Sequence, residues 1–197
     1  AFQKRIAFAE LIRNGITTAL PIASLFYREW GETAAEFEAA ADAAEELGLR
    51  VYLGPAYRTG GQVSDEAGNI RAIYDEPRGL AELEEAAKFA ARIDGRAGGR
   101  IKAMFAPDRI ETCTPTLVRR TAELARDMGA PVRQHCLQSE IELRLVRDQH
   151  GMTPIEYLAA QDALGSNWLL PHGTQATPLD FEMIRDAGAT IVHCPLV

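Results

Sequence analysis

The sequence predicts an α/β fold built on a parallel sheet with helices outside it. Helix-like and strand-like segments alternate along the chain. The strand-like runs are continuously apolar, as expected for strands buried on both faces. A third observation adds chemistry to the fold. His135 and His172 each close a short apolar run, with one helix-like stretch between them. In a βαβ unit, side chains at the C-terminal ends of neighbouring parallel strands point into one mouth. Imidazoles there can bind a metal or act on a metal-bound water.

Six strands are expected. Residues 2–13 form an amphipathic helix that Asn14-Gly15 ends, and 16–22 an apolar strand. Residues 33–47 are rich in Ala and Glu, with Thr33 as N-cap and Gly48 as the C-terminal stop. A strand over 49–54 runs into a loop at Tyr57-Arg58-Thr59-Gly60-Gly61, and a helix covers 79–93. The strand 100–106 ends at Pro107. The helix 114–128 opens with Thr114 as N-cap and Pro115 at its first position. Next come a strand over 132–136, a helical stretch over 140–164 broken near Gly151–Pro154, and Leu169-Leu170 before His172. A helix over 177–187 starts at Pro178, and a last strand covers 189–194. A doubly wound sheet and part of a (β/α)8 barrel both fit this order.

Composition excludes several classes. The chain has 197 residues, 47% apolar and 25% charged, ordinary for a globular protein. A net charge of -7 argues against a nucleic-acid partner. No apolar run is long enough for a membrane span, and no signal peptide is visible. Cys113, Cys136 and Cys194 lack CxxC spacing, so they read as reduced thiols in a cytoplasmic protein. The expected partners are a small-molecule substrate and further copies of the chain in a homo-oligomer. Gly60-Gly61 precedes no predicted helix and supports no dinucleotide site. His150 is expected on the surface, and Cys136 should face away from the mouth by strand alternation.

Six segments, in order, resemble the amidohydrolase superfamily, in its group of cytosine deaminases and triazine hydrolases. They are Asn14-Gly15-Ile16-Thr17-Thr18-Ala19, Cys113-Thr114-Pro115-Thr116-Leu117, His135-Cys136-Leu137-Gln138, Gly151-Met152-Thr153-Pro154-Ile155-Glu156-Tyr157-Leu158, Pro171-His172-Gly173 and Gly188-Ala189-Thr190-Ile191-Val192-His193-Cys194-Pro195. The resemblance implies a (β/α)8 TIM barrel with a metal at its C-terminal mouth, this chain covering about strands two to seven. It implies that an H-x-H pair on strand one and an Asp on strand eight belong to portions missing at either end. Residues 1–197 are then an interior part of one barrel domain.

On the same resemblance, His135 is a metal ligand, and His172 is either a ligand or the group that contacts the attacking water. Gln138 stands where the group carries the glutamate of H-x-x-E. An amide orients a substrate or water but takes up no proton at neutral pH. Glu140 and Glu142 follow at the start of a helix and are not expected to replace it. The strand over 100–106 offers no lysine near its end, Lys102 being too early, so a single divalent ion is expected, zinc before iron. Arg58, with Tyr57, follows a strand and can clamp an anionic group. His193 can line the pocket.

The expected activity is metal-dependent hydrolysis of a non-peptide C–N bond (amide, amidine or ring amine) in a small molecule, with His172 and Gln138 at the reacting centre. Hydrolysis of another leaving group, such as chloride or a thiocarbamate thiol, uses the same scaffold. A barrel that binds a small molecule without turnover is the reading from a different class.

Overall fold

The computed structural model describes residues 2–22 and 30–194. Pro195, the end of the last motif, lies outside the described residues.

Helix α1 (Phe2–Arg13) leads to the short strand β1 (Thr18–Ala19). Helix α2 (Ala34–Leu47) begins at Thr33, whose side chain and backbone form a capping box with Glu36. It ends at Gly48, whose φ of 77° lies in the left-handed region that glycine adopts without a Cβ clash. Strand β2 (Arg50–Leu53) continues after a break as β3 (Ala56–Tyr57). An antiparallel hairpin follows, β4 (Gly60–Ser64) paired with β5 (Ile70–Tyr74). The sequence pattern assigns no strand to this segment. Helix α3 (Glu76–Ile93) starts three residues earlier than expected, capped by Asp75, which accepts the Arg78 N–H.

Strand β6 (Ile101–Ala103) continues as β7 (Ala106–Pro107), and a 3-10 turn (Ile110–Thr112) precedes α4 (Pro115–Met128). Then come β8 (Val132–Arg133), α5 (Glu140–His150), α6 (Pro154–Ala160), β9 (Trp168–Pro171), α7 (Pro178–Ala187) and β10 (Thr190–Val192). The break expected near Gly151–Pro154 separates α5 from α6. Gly151 ends α5 at φ 69°, and Thr153 with Glu156 opens α6 in a capping box.

Every pairing among the main strands is parallel. β1, β2 and β6 are neighbours in that order, as are β8, β9 and β10. Bridges Phe105–Val132 and Arg109–His135 join the two halves. The described residues therefore form six parallel runs whose spatial order follows the chain.

The sheet is curled. Nη1 of Arg133 on β8 donates to the carbonyls of Pro21 at 3.0 Å and Leu20 at 3.4 Å, just past β1. Three strand spacings separate β8 from β1, about 14 Å on a flat sheet at 4.7–4.9 Å each. That exceeds the reach of an arginine side chain, so the face carrying Arg133 is concave.

Helices pack on the other face. One core cluster joins Phe8, Phe37, Val51, Leu53, Phe89 and Ile101 between α1, α2, α3 and the first strands. Phe37 and Phe89 meet edge to face, centroids 6.1 Å apart, a geometry that adds about 0.5–1.5 kcal/mol beyond burial. The second cluster packs α4 and α6 on β6 to β9, with Phe105, Leu117, Val132, Leu158 and Trp168 buried. Gly79 lets α3 lie against the end of β3: a Cβ there would stand 2.6 Å from the Arg58 carbonyl.

Candidate active site

Strand alternation sets the site. On β8, Val132 packs among the helices, while Arg133 points to the concave face, and His135 follows two residues later on the same face. His172 follows β9 directly. The backbone pairs the two strand ends: the Cys136 N–H donates to Pro171 and Cys136 bridges His172 in parallel.

The two imidazoles meet. His135 Nδ1 lies 3.1 Å from His172 Nε2, and the ring centroids are 5.2 Å apart. Burial, then Arg133, then His172 and Arg109, push the His135 pKa down to about 3. Burial lowers that of His172 as well. Both rings are therefore neutral at pH 7 and keep a lone pair for an electrophile. His172 Nδ1 is buried without a hydrogen-bond partner. His172 also has a φ of 89°, rare for a side-chain-bearing residue and a common mark of functional strand ends.

Asp108 ends the neighbouring strand. Its carbonyl accepts the His135 N–H at 3.2 Å, and its buried carboxylate pairs with Arg58 at 3.3 Å. Burial raises the Asp108 pKa, opposed by Arg109, Arg58 and Arg133. Arg109 is in register with His135, and its Nε stands 3.6 Å from Glu111. Glu111 is buried and accepts Gln62 Nε2 of the hairpin at 2.6 Å.

Of the residues singled out in the sequence, the structure gathers His135, His172 and Gln138 at two adjacent strand ends. Gln138 is partly buried, its N–H donating to Glu142 and its carbonyl accepting from Thr174. Arg58 lies two strands from His135 along the mouth, paired with Asp108 and 5.7 Å from the Trp30 ring. His193 is exposed just past β10.

Tyr57 is a correction. Its side chain turns outward, not into the mouth, with its hydroxyl 2.9 Å from Thr121 on α4 and its ring in the core. Successive strand residues face opposite sides, so Tyr57 and Arg58 cannot both reach the mouth. His150 is a second correction: it is half-buried, stacked on Tyr157 with centroids 4.3 Å apart. Cys136 is buried as expected, and burial raises its thiol well above the usual range.

Asp108, Arg133 and Thr174 escaped the sequence reading, which placed Glu142 at the start of the following helix without giving it a role. Alternation from His135 would have found Arg133, and Ser139-Glu140-Ile141-Glu142, a capping-box pattern, would have marked Glu142.

The imidazole pair fits a divalent ion. A nitrogen separation of 3.1 Å suits neighbouring ligands of a tetrahedral zinc with Zn–N bonds of about 2.0–2.1 Å. Among the described residues no group of three or more His, Cys, Asp or Glu is placed to hold a metal, so the pair is a partial ligand set. The larger clefts lie elsewhere, one of about 580 Å³ beside Trp30, Glu82 and Ala86 and one of about 620 Å³ beside Leu20, Lys102 and Asn167. Converging polar atoms rather than cavity size mark the site.

A curled parallel sheet with helices outside and polar groups gathered at its C-terminal edge defines the class of βα barrels. The family model described as "Amidohydrolase family" matches residues 1–196, and the chain belongs to that family. Among curated relatives, 5-methylthioadenosine/S-adenosylhomocysteine deaminase of Natronomonas pharaonis is 27% identical over 97% of this chain and 39% of its own length. The 5'-deoxyadenosine deaminase of Methanosarcina mazei is also 27% identical, over 97% of this chain and 39% of its own. The chain thus spans about two fifths of these relatives. Atrazine chlorohydrolase of Arthrobacter aurescens, a structure with zinc, superposes with a TM-score of 0.78 at 20% identity, over 98% of this chain and 41% of its own. An adenosine deaminase of Xanthomonas campestris with bound zinc gives 0.73 at 20% identity, over 98% of this chain and 38% of its own. These likenesses establish the TIM-barrel fold.

Proposed function

We propose that residues 1–197 form part of one barrel domain, about strands two to seven, of a metal-dependent hydrolase. It cleaves a non-peptide C–N bond in a small molecule. The observation that carries the reading is the pair of neutral imidazoles, 3.1 Å apart at adjacent strand ends, in a chain of the amidohydrolase family. The zinc in the neighbouring solved structures and the deaminase names of the relatives support it.

His135 and His172 hold one divalent ion, zinc in preference to iron, together with ligands from outside this chain. A bound ion of this kind supplies a water whose pKa falls from about 15.7 towards about 7. His172 either completes this hold on the ion through Nε2 or contacts the attacking water, while its Nδ1 is buried and has no hydrogen-bond partner among the described residues. Gln138 orients the substrate through its amide and moves no proton. Arg58 and His193 face substrate from the strand ends on either side. The protein works in the cytoplasm as a homo-oligomer.

One observation favours a second reading of the bond cleaved. With glutamine at 138, a ring nitrogen receives no proton from this position, so a group that leaves unprotonated, such as chloride, suits the site better than ammonia.

The test is metal analysis of the purified full-length protein, then a turnover screen on adenosine-type amines, amides, amidines, carbamates and halotriazines. One zinc per chain with turnover of a C–N substrate is expected. Turnover of halides alone selects the second reading. Stoichiometric metal without any turnover makes the protein a binding barrel.

A further inference from the structure

We propose that Glu142 and Thr174 are positioning residues, which fix the Leu137–Gln138 turn from opposite sides and through it the spacing of His135 and His172. The proposal rests on reading that pair as metal ligands.

Leu137 has a φ of 59°, in the left-handed region that a branched side chain rarely occupies. Such a conformation persists only where its surroundings over-determine it. Here each backbone polar group of the turn is taken. The N–H groups of Leu137 and Gln138 donate to the two oxygens of the Glu142 carboxyl group, at 2.5 and 2.9 Å. The Leu137 carbonyl accepts the Gln175 N–H at 2.9 Å and the Thr174 hydroxyl at 3.1 Å. The Gln138 carbonyl accepts the same hydroxyl at 2.9 Å.

Glu142 departs from its local role. Ser139 caps α5 by accepting the Glu142 N–H at 3.3 Å. In a capping box the acid at this position turns back to the N–H of the cap residue. Glu142 instead reaches past Ser139 to the two preceding N–H groups, on the side of His135. It is buried.

Thr174 stands two residues after His172, as Leu137 stands two after His135. The Gly173 N–H donates to the Cys136 carbonyl at 3.2 Å, so the ties run directly between the two strand ends. Neither Glu142 nor Thr174 hydrogen-bonds an imidazole. They act through the backbone that carries the rings.

The experiment measures zinc affinity by chelator competition in the full-length protein, with amide hydrogen exchange alongside. Thr174 is exposed, so Thr174→Val fits while losing the hydroxyl; Thr174→Ser restores it. Glu142→Met fills the buried site without an acceptor, and Glu142→Gln keeps one. Thr174→Val and Glu142→Met should each weaken zinc binding about tenfold, as loss of a supporting hydrogen bond does at metal sites. Thr174→Ser should restore wild-type affinity, and Glu142→Gln should fall between. Glu142→Met should also speed exchange at Leu137 and Gln138. Unchanged affinity in both apolar variants, or a Thr174→Val loss that serine does not restore, overturns the proposal. If the wild-type protein binds no zinc, the functional reading fails instead. Exchange then decides the clamp alone, and unaltered rates in Glu142→Met overturn it.

Discussion

Glu142→Gln should abolish a pH dependence of folding stability whose size follows from the burial of this side chain. The carboxyl is 1% exposed, and burial, then the neighbouring Glu111 charge, raise its pKa from 4.5 to about 8 against the pull of the Gln138 and Leu137 N–H groups. Below pH 4.5 folded and unfolded chains both hold the proton, and the folded state has its full stability. Between 4.5 and about 8 the unfolded chain has released the proton and the folded chain has not, so stability falls as pH rises. The interval is ~3.5 pH units at ~1.36 kcal/mol each, or on the order of 5 kcal/mol. Glutamine resembles the protonated acid and does not titrate. Urea unfolding of metal-free wild type and Glu142→Gln at pH 5, 6, 7 and 8 reads the difference, in which titrating groups not coupled to Glu142 cancel. The variant should gain on wild type by roughly 1.4 kcal/mol per pH unit up to about pH 8. A difference that is flat with pH, or that favours wild type as pH rises, would show that Glu142 is ionised in the folded protein and refute the burial argument.

Other outcomes test the site more directly. His135→Ala and His172→Ala should each lower zinc affinity at least tenfold, read by chelator competition, since each removes a ligand from a partial set. Tyr57→Phe should cost about 1–2 kcal/mol in urea unfolding by orphaning the Thr121 hydroxyl, and leave KM unchanged; a raised KM would return Tyr57 to the mouth. Gln138→Glu should add a titrating limb to the pH profile of kcat/KM that wild type lacks, whereas Gln138→Ala should lower the rate without changing the shape of the profile. Arg133→Met should raise the His135 pKa in metal-free protein by removing a cation that depresses it, seen as an upward move of its NMR titration midpoint.

The parallel sheet was legible because continuous apolar runs between capped helices leave few other arrangements. Thr33, Thr114 and Pro115, Gly48 and Gly151 mark helix ends by backbone chemistry, which a sequence displays directly. The β4–β5 hairpin was not legible. Its strands are half-exposed and begin with Gly60-Gly61, so they carry little hydrophobic alternation, and their pairing is supplied by each other and by Tyr74, which donates to the Glu111 carbonyl. The histidines were legible because they end apolar runs. Tyr57 was misplaced because its loop assignment hid a strand register, and register decides which of two consecutive residues faces the mouth. Asp108 was hidden because nothing in its sequence neighbours reveals the Arg58 partner that folding brings to it.

The order of the strands has a consequence for how the site comes into being. Chain order and sheet order coincide, so each strand, as it leaves the ribosome, finds its neighbour already waiting at the growing edge. No pairing among the described parallel strands needs a segment that has yet to be made. The histidine pair closes only when β9 docks on β8, late in that sequence, and the turn that secures it forms in the same event. Until then the nascent chain presents His135 without His172, so the two imidazoles can act together on one ion only after the β9 segment has emerged.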